Sequence, residues 1–171
     1  KNEALTGRPF CGAAGKILDE LLLSADIARK DVYVTNIVKD RPPFNRDPLP
    51  EEIEFYAPFL DRQIEIIKPE VIATLGRFSM DHIMKKFGLE SELKSISQIH
   101  GKVFTVPAPK LPAPVPDVAS AFGPKGQSPL QQKATSGLGR IIPLYHPAVA
   151  VYGTSKEILK KDFEILKQFS K

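Results

Sequence analysis

Apolar residues recur at helical spacing in four stretches of the chain. Between residues 12 and 25, four aliphatic residues fall on one helical face and charged residues on the other, which predicts an amphipathic helix. A proline and two acids at the start of the second stretch suit the first turn of a helix. The same spacing predicts the other helices, over residues 50–67, 77–87 and 155–169.

Four short segments are rich in β-branched and apolar residues, as strands usually are. Residues 31–38 and 71–75 carry the strongest signal, and the glycine that follows the second is typical of a buried parallel strand leading into a helix. Residues 103–106 and 141–144 predict two shorter strands. Because strands alternate with helices, the pattern predicts an α/β fold with one domain over residues 1–171.

One long segment breaks this alternation. Residues 107–139 carry seven prolines together with Gly, Ser, Gln and Lys. Such a composition buries too little apolar surface to offset the entropy of ordering the chain. The sequence therefore predicts a Pro-rich, mobile insertion over residues 107–139, between the last two strands. Residues 1–10 have no strand or helix periodicity and are predicted to be a loop.

The composition of the chain limits the classes of function that the protein can have. The formal charge of +4 and the pI near 9.1 suit a polyanionic partner, although many enzymes share so mild an excess. No apolar run is long enough for a membrane span and no signal-peptide pattern opens the chain, so we expect a cytoplasmic protein without a membrane partner. The single Cys11 excludes an internal disulfide and a four-thiolate site built from this chain alone.

Four motifs together resemble the four-cysteine, iron–sulfur branch of the uracil-DNA glycosylase superfamily. Their order and spacing match as well, and they are residues 6–15 (TGRPFCGAAG), 32–46 (VYVTNIVKDRPPFNR), 72–77 (IATLGR) and 145–148 (YHPA). The resemblance implies a three-layer α/β/α fold with a central, parallel, roughly four-stranded sheet. It places the uracil pocket at the carboxyl ends of the strands, where open α/β sheets usually bind ligands.

The chain departs from the family pattern at two positions where the resemblance implies thiolate ligands. Asp40 stands before the Arg-Pro-Pro motif and Tyr56 in the following helix. Neither side chain can serve as a thiolate, so we expect no iron–sulfur cluster, no metal and no other cofactor. Relatives also begin with a hydrophobic strand and an acidic loop associated with water positioning, and this sequence starts after both. The resemblance therefore implies an N-terminally truncated domain whose catalysis as a fragment is in question.

The resemblance assigns three residues to the uracil itself. Phe10 would stack on the flipped base, whereas a phenylalanine beside a helix start is otherwise usually part of the core. Asn36 would read the pairing edge, since its amide offers both a donor and an acceptor; the alternative is a residue that caps the strand end. Glu3 aligns with an acid thought to crowd the position of thymine's methyl group.

His146 is the candidate that carries the chemistry. Within the Tyr-His-Pro-Ala motif, an imidazole can donate a hydrogen bond to the uracil oxygen as negative charge builds there. A lone histidine is more often structural, and the motif is what favours catalysis here. His82 and His100 lack that setting.

Two groups of residues are candidates for contacts with DNA. Apolar residues after the histidine motif suit a wedge that fills the gap left by a flipped nucleotide, although an ordinary apolar turn is about as good an interpretation. Polar residues of the Arg-Pro-Pro loop would present donors to phosphates, or else be merely solvated. The wedge candidates are Val149, Ala150 and Val151, and the phosphate candidates are Arg41, Asn45 and Arg46. Cys11 is interpreted as a packing residue.

The sequence leads to two hypotheses of different classes. The first is a monomeric, monofunctional uracil-DNA glycosylase of base-excision repair, acting on uracil-containing DNA without a covalent lysine intermediate. The second is a noncatalytic module that keeps the fold and binds nucleic acid or a protein partner. A nucleotide-binding Rossmann enzyme is a weak third, because no Gly-x-Gly-x-x-Gly follows a strand.

Overall fold

A computed structural model describes residues 3, 6–107, 139–153 and 155–170, without the side chain of Asn45. All of the predicted insertion except its two end residues lies outside this described part. Five helices and three strands are assigned within it, joined by short 3₁₀ turns. The helices are α1 (Ala13–Ser24), α2 (Pro50–Ile67), α3 (Arg77–Lys86), α4 (Ile96–Ile99) and α5 (Lys156–Glu164), and the strands are β1 (Val71–Leu75), β2 (Phe104–Val106) and β3 (Gly139–Leu144).

The sheet is mixed and has the strand order β1-β3-β2. β1 runs parallel to β3, with Ala73 opposite Ile142, whereas β2 runs antiparallel to β3, with Val106 opposite Gly139. The α/β class predicted from the sequence is confirmed. The all-parallel arrangement is wrong for β2, because β2 and β3 are direct neighbours on the two sides of the Pro-rich segment and pair as the arms of a hairpin do.

The segment predicted as the first strand, residues 31–38, pairs with no strand among the described residues. It has no regular secondary structure after Asp31, and its backbone bends over residues 37–40. Together with the free edge of β1 it lines a cavity of about 1520 Å³. Because this space separates the segment from β1, ladder hydrogen bonds do not form, although the β-branched composition would suit them.

The core has two clusters that share the central strand. Alternate side chains of a strand point to opposite faces, so Ile142 and Leu144 join α1 and α5, while Ile141 joins α2, α3 and α4. All three side chains are fully buried. β3 is therefore the element to which both sets of helices attach, and its carboxyl end is rigidly held.

Helix ends follow the sequence signals. Pro50 opens α2, and the Glu52 carboxylate accepts the Leu49 N–H at 2.8 Å, which satisfies a donor at the helix start. Lys68 ends α2 in the left-handed conformation directly before Pro69. Among the residues that the structure describes, no helix is long and apolar enough to cross a bilayer.

Candidate active site

The residues that the sequence analysis assigned to uracil all line one large cavity. Gly76 directly follows β1, and His146 follows β3 by one intervening residue. Since β1 and β3 are parallel, their carboxyl ends lie at the same edge of the sheet. Phe10 and Asn36 line the same cavity. Side chains from four separate segments thus surround one space.

His146 is held in a defined orientation and protonation state. The Ala148 N–H donates to His146 Nδ1 at 3.1 Å, so Nδ1 acts as an acceptor and the proton of a neutral ring resides on Nε2. Burial lowers the pKa of His146 below its ordinary value of 6.5. The site therefore contains a neutral imidazole with an Nε2–H available as a donor.

Gly76 allows the turn after β1 to approach the histidine closely. Its φ of 90° lies in a region that favours glycine, and a Cβ placed there would stand 3.2 Å from the His146 Cβ. The Gly76 N–H donates to the Leu144 carbonyl at 2.9 Å, which ties the turn to β3. A side chain at position 76 would push against the imidazole and disturb its orientation.

Phe10 packs beside the imidazole. Its ring centroid lies 5.3 Å from that of His146, with the planes tilted by 30°. The backbone of Phe10 has a positive φ of 57° and passes so close to α1 that a Cβ on Gly15 would overlap the Phe10 carbonyl. Gly15 is thus required for the path of the chain that brings Phe10 to the site.

Glu3 has a different contact from the one that the resemblance implied. Its Oε1 accepts the Phe10 N–H at 2.9 Å. This bond ties Glu3 to Phe10 and holds the strained Phe10 backbone in place. Contact with the methyl position of a thymine stays a prediction, whereas support of Phe10 is a geometric fact of this structure.

Asn36 is held through its backbone, and the residues that hold it were not singled out from the sequence. Lys39 Nζ donates to the Asn36 carbonyl at 2.7 Å, to Thr35 Oγ1 at 2.9 Å and to Gln63 Oε1 at 3.1 Å. Burial lowers the pKa of Lys39. The Asn36 side-chain amide has no hydrogen-bond partner within the described part of the chain and lines the cavity. The sequence contains one signal for this network. The spacing along one face of the predicted helix 50–67 puts Gln63 near the motif that contains Asn36.

The candidate phosphate-binding loop is anchored to α2. Arg46 forms a bidentate pair with Glu52, with distances of 2.8 and 2.6 Å. This pairing raises the pKa of Arg46 and lowers the pKa of Glu52 to about 2. A phosphate contact by Arg46 would have to share or replace that partner. Arg41 lies in the same loop, and the side chain of Asn45 is outside the description.

The candidate wedge residues divide into packed and projecting ones. They belong to a 3₁₀ turn, Pro147–Tyr152, that follows the histidine. Val149 and Ala150 pack against the core beside α1, whereas Val151 is 49% exposed. Tyr152, which the sequence analysis missed, is 87% exposed and is the most prominent side chain of the turn. An aromatic directly before a glycine at a loop tip was the available signal.

The other two histidines are engaged elsewhere. His82 lies 3.6 Å from Asp61, and His100 Nδ1 lies 2.7 Å from Asp162, whose side chain is buried. Neither histidine lines the large cavity. Their contacts are those of structural residues, and His146 is the histidine that lines the site.

Comparisons with known proteins agree with this geometry. The model of the Uracil DNA glycosylase superfamily matches residues 1–169. A type-4 uracil-DNA glycosylase of Archaeoglobus fulgidus is 39% identical over 96% of this chain and 69% of its own length. The corresponding enzyme of Saccharolobus solfataricus is 36% identical over 98% of this chain and 66% of its own length. The chain thus spans about two thirds of the length of these curated relatives.

A further match belongs to a protein with a different name. A DNA polymerase of Bacillus phage SP01 is 33% identical over 56% of this chain, which is 10% of the phage protein. Sequence similar to this chain therefore also occurs within a much longer polypeptide.

Proposed function

The chain belongs to the uracil DNA glycosylase superfamily, and we propose that it hydrolyses the N-glycosidic bond between uracil and deoxyribose in DNA. The observation that carries this proposal is the packing of Phe10 beside His146, at the carboxyl edge of β1 and β3, in a cavity that Asn36 also lines. Phe10 supplies an apolar face, the Asn36 amide a donor and an acceptor, and His146 a donor for the developing anion. Uracil excision requires all three.

In the proposed reaction, uracil leaves the base stack and enters the cavity, where it lies against Phe10 and hydrogen-bonds to the Asn36 amide. As the glycosidic bond breaks, its electron pair moves onto the base. The neutral His146 then donates a hydrogen bond from Nε2–H to the uracil oxygen that gains the charge. The oxygen of a water molecule bonds to C1′ of the sugar and the water gives up a proton that the uracil anion takes up, so that the products are an abasic sugar and neutral uracil. Neutrality of the ring suits this task, because the donor is already in place without a change of protonation.

The proposal assigns no covalent role to a lysine. Lys39 lines the cavity, but its ammonium is engaged by three oxygen acceptors. An amine held in this way is a poor nucleophile, since it must remain protonated to make those bonds. We therefore propose a monofunctional glycosylase of base-excision repair that works as a monomer and leaves an abasic site.

The proposal extends to the full sheet of the family. In a polypeptide that carries a hydrophobic strand before residue 1, that strand would fill the space between residues 32–38 and β1 and pair with both. The free edge of β1 and the cavity that both segments line support this arrangement. Two core clusters on opposite faces of β3 support helices on both sides of such a sheet.

A noncatalytic binding module is the second candidate. The match within a phage DNA polymerase favours keeping it. In this alternative the cavity still accepts a base, but water is not positioned for attack. The two candidates differ in one observable, the release of free uracil.

The test is a single-turnover assay with an oligonucleotide that contains one uracil, alongside a matched thymine oligonucleotide. The proposal expects free uracil and an alkali-labile abasic site from the first substrate and neither from the second. Fluorescence anisotropy with the same oligonucleotides measures binding. Binding without uracil release would overturn the enzymatic proposal in favour of the binding module.

A further inference from the structure

Asp40 and Tyr56 meet in the structure although 15 residues separate them in the sequence. The Tyr56 hydroxyl donates to Asp40 Oδ2 at 2.5 Å. Asp40 precedes the Arg-Pro-Pro loop, and Tyr56 lies in the second turn of α2. These are the two positions at which the resemblance implied thiolates. Two ligands of one iron–sulfur cluster would have to lie close together, as these two side chains do.

The residues present do not fit an iron–sulfur cluster. A carboxylate and a phenol offer oxygen donors, whereas such clusters are held by thiolates. Cys11 lies at the start of α1, where its sulfur accepts a hydrogen bond from Thr6, and it does not line the space beside Asp40. Within the described residues, no group of three or more His, Cys, Asp or Glu side chains is arranged to hold a metal ion.

Packing alone does not close this part of the molecule. A cavity of about 410 Å³ separates the loop from α2 beside the Asp40–Tyr56 pair, with Pro42, Pro43 and Phe55 among its lining residues. A gap of this size removes the van der Waals contacts that would otherwise fix the loop. Polar contacts must therefore hold the loop where apolar contacts are missing.

We propose that the Asp40–Tyr56 hydrogen bond is a metal-free clasp that positions the loop of residues 40–49 on α2 for binding uracil-containing DNA. Only the last step of this inference, the binding of uracil-containing DNA, rests on the proposed function. Tyr56 and Asp40 are positioning residues in this proposal, because they bond to each other and act on DNA through the loop. The clasp takes the place of a cluster as the link between this loop and the helix.

Other contacts hold the loop of residues 40–49 on both sides of the clasp, and they show why the clasp is needed between them. The Arg46–Glu52 pair fixes the far end of the loop to α2, and Arg77 binds Asp47 from α3. Lys39 and Gln63 fix the segment just before the loop. The clasp lies between these anchors, at the point where the chain turns from the Asn36 segment into the loop. Hydrogen bonding to Asp40 raises the pKa of Tyr56, so the phenol remains a donor through neutral pH.

A double-mutant cycle with Tyr56→Phe and Asp40→Ala tests the clasp. Each single variant should raise the half-saturating concentration of uracil-containing DNA about two- to fivefold, as expected for loss of an exposed polar pair, with little change in the maximal rate. The double variant should be no worse than either single one. Asp40→Asn keeps an oxygen acceptor and should bind nearly as the wild type does. Ile66→Ala, which removes an exposed side chain of α2 that lines neither cavity, is the control.

The rate of hydrogen exchange of the amides in residues 40–49 measures how firmly the clasp holds the loop, and it needs no catalytic activity. Tyr56→Phe should speed exchange there, whereas Ile66→Ala should not. Unchanged exchange, additive effects in the cycle, or stoichiometric iron in the purified protein would each overturn the inference. If exchange responds as expected but the wild type releases no uracil, the clasp stands and the enzymatic proposal fails.

Discussion

The ring of Phe10 lies 5.3 Å, centroid to centroid, from the imidazole of His146. The two residues come from opposite ends of the chain, and a hydrogen bond holds each of them. Glu3 accepts the backbone N–H of Phe10, and the Ala148 N–H donates to the His146 ring at Nδ1. An apolar face and a neutral donor are therefore fixed side by side before any base enters.

His146→Ala should separate binding from chemistry. Loss of one donor to a developing anion typically costs about 2.7 to 4 kcal/mol, or roughly a hundredfold to a thousandfold in single-turnover rate. Binding of uracil-containing DNA should change little, because the bond strengthens only as charge moves onto the base. Asn36→Ala and Phe10→Ala should instead weaken capture of the base as well. Near-normal excision by His146→Ala would refute the assigned role.

The lowered pKa of His146 predicts a pH dependence of stability. The unfolded chain, with a histidine pKa near 6.5, takes up the proton at a higher pH than the folded chain does. The free energy of unfolding should therefore fall as the pH drops through 6.5. His146→Asn lacks this group, so its free energy of unfolding should fall less between about pH 8 and about pH 5.5 in urea titrations. Parallel curves for the two proteins would contradict the buried, neutral ring.

Glu3 is expected to act through Phe10. Glu3→Gln retains an oxygen that accepts the Phe10 N–H and should keep most of the uracil affinity, whereas Glu3→Ala should lower the affinity about two- to tenfold, the range for loss of one hydrogen bond. Glu164→Ala, at an exposed position of α5, is the control. The measurement is the half-saturating DNA concentration in single-turnover assays. Equal losses in the Gln and Ala variants would point to a direct contact with the base instead.

Tyr152 is expected to assist base flipping from duplex DNA. Its exposed ring stands next to the site, where it can fill the space that a flipped base leaves. Tyr152→Ala should slow uracil release from a duplex about tenfold and from a single strand much less, since a single strand has no stacked gap to fill. Leu23→Ala removes an equally exposed apolar side chain on α1 and should change neither rate. A similar loss on both substrates would rule out the wedge.

The Pro-rich segment is expected to be dispensable for folding. Val106 and Gly139 are paired directly across β2 and β3, so a short loop can join them. Replacing residues 108–138, which lie outside the described part, with Asn-Gly should leave the melting temperature within about 4 °C of the original, the shift that roughly 1 kcal/mol produces in a domain of this size. Loss of a cooperative transition would show that the segment belongs to the fold.

The sequence by itself determined the helices and the buried strands. Residues 50–67 and 71–75 were predicted with the bounds that the structure has, because a proline, two acids and a continuous apolar run are local signals. The motif around His146 likewise located the candidate chemistry, since a motif is read from neighbouring residues. The α/β class follows from the order of these elements.

Only the tertiary structure decided how distant residues meet. The strand predicted over residues 31–38 needs a partner, and a ladder is a property of two segments, so composition alone does not place it in the sheet. The bond from Glu3 to Phe10, the clasp of Asp40 with Tyr56 and the hold of Lys39 on Asn36 depend on chain paths through space. Periodicity reports which face of an element is buried, but the partner across that face is set by packing, and the site is built from such partners.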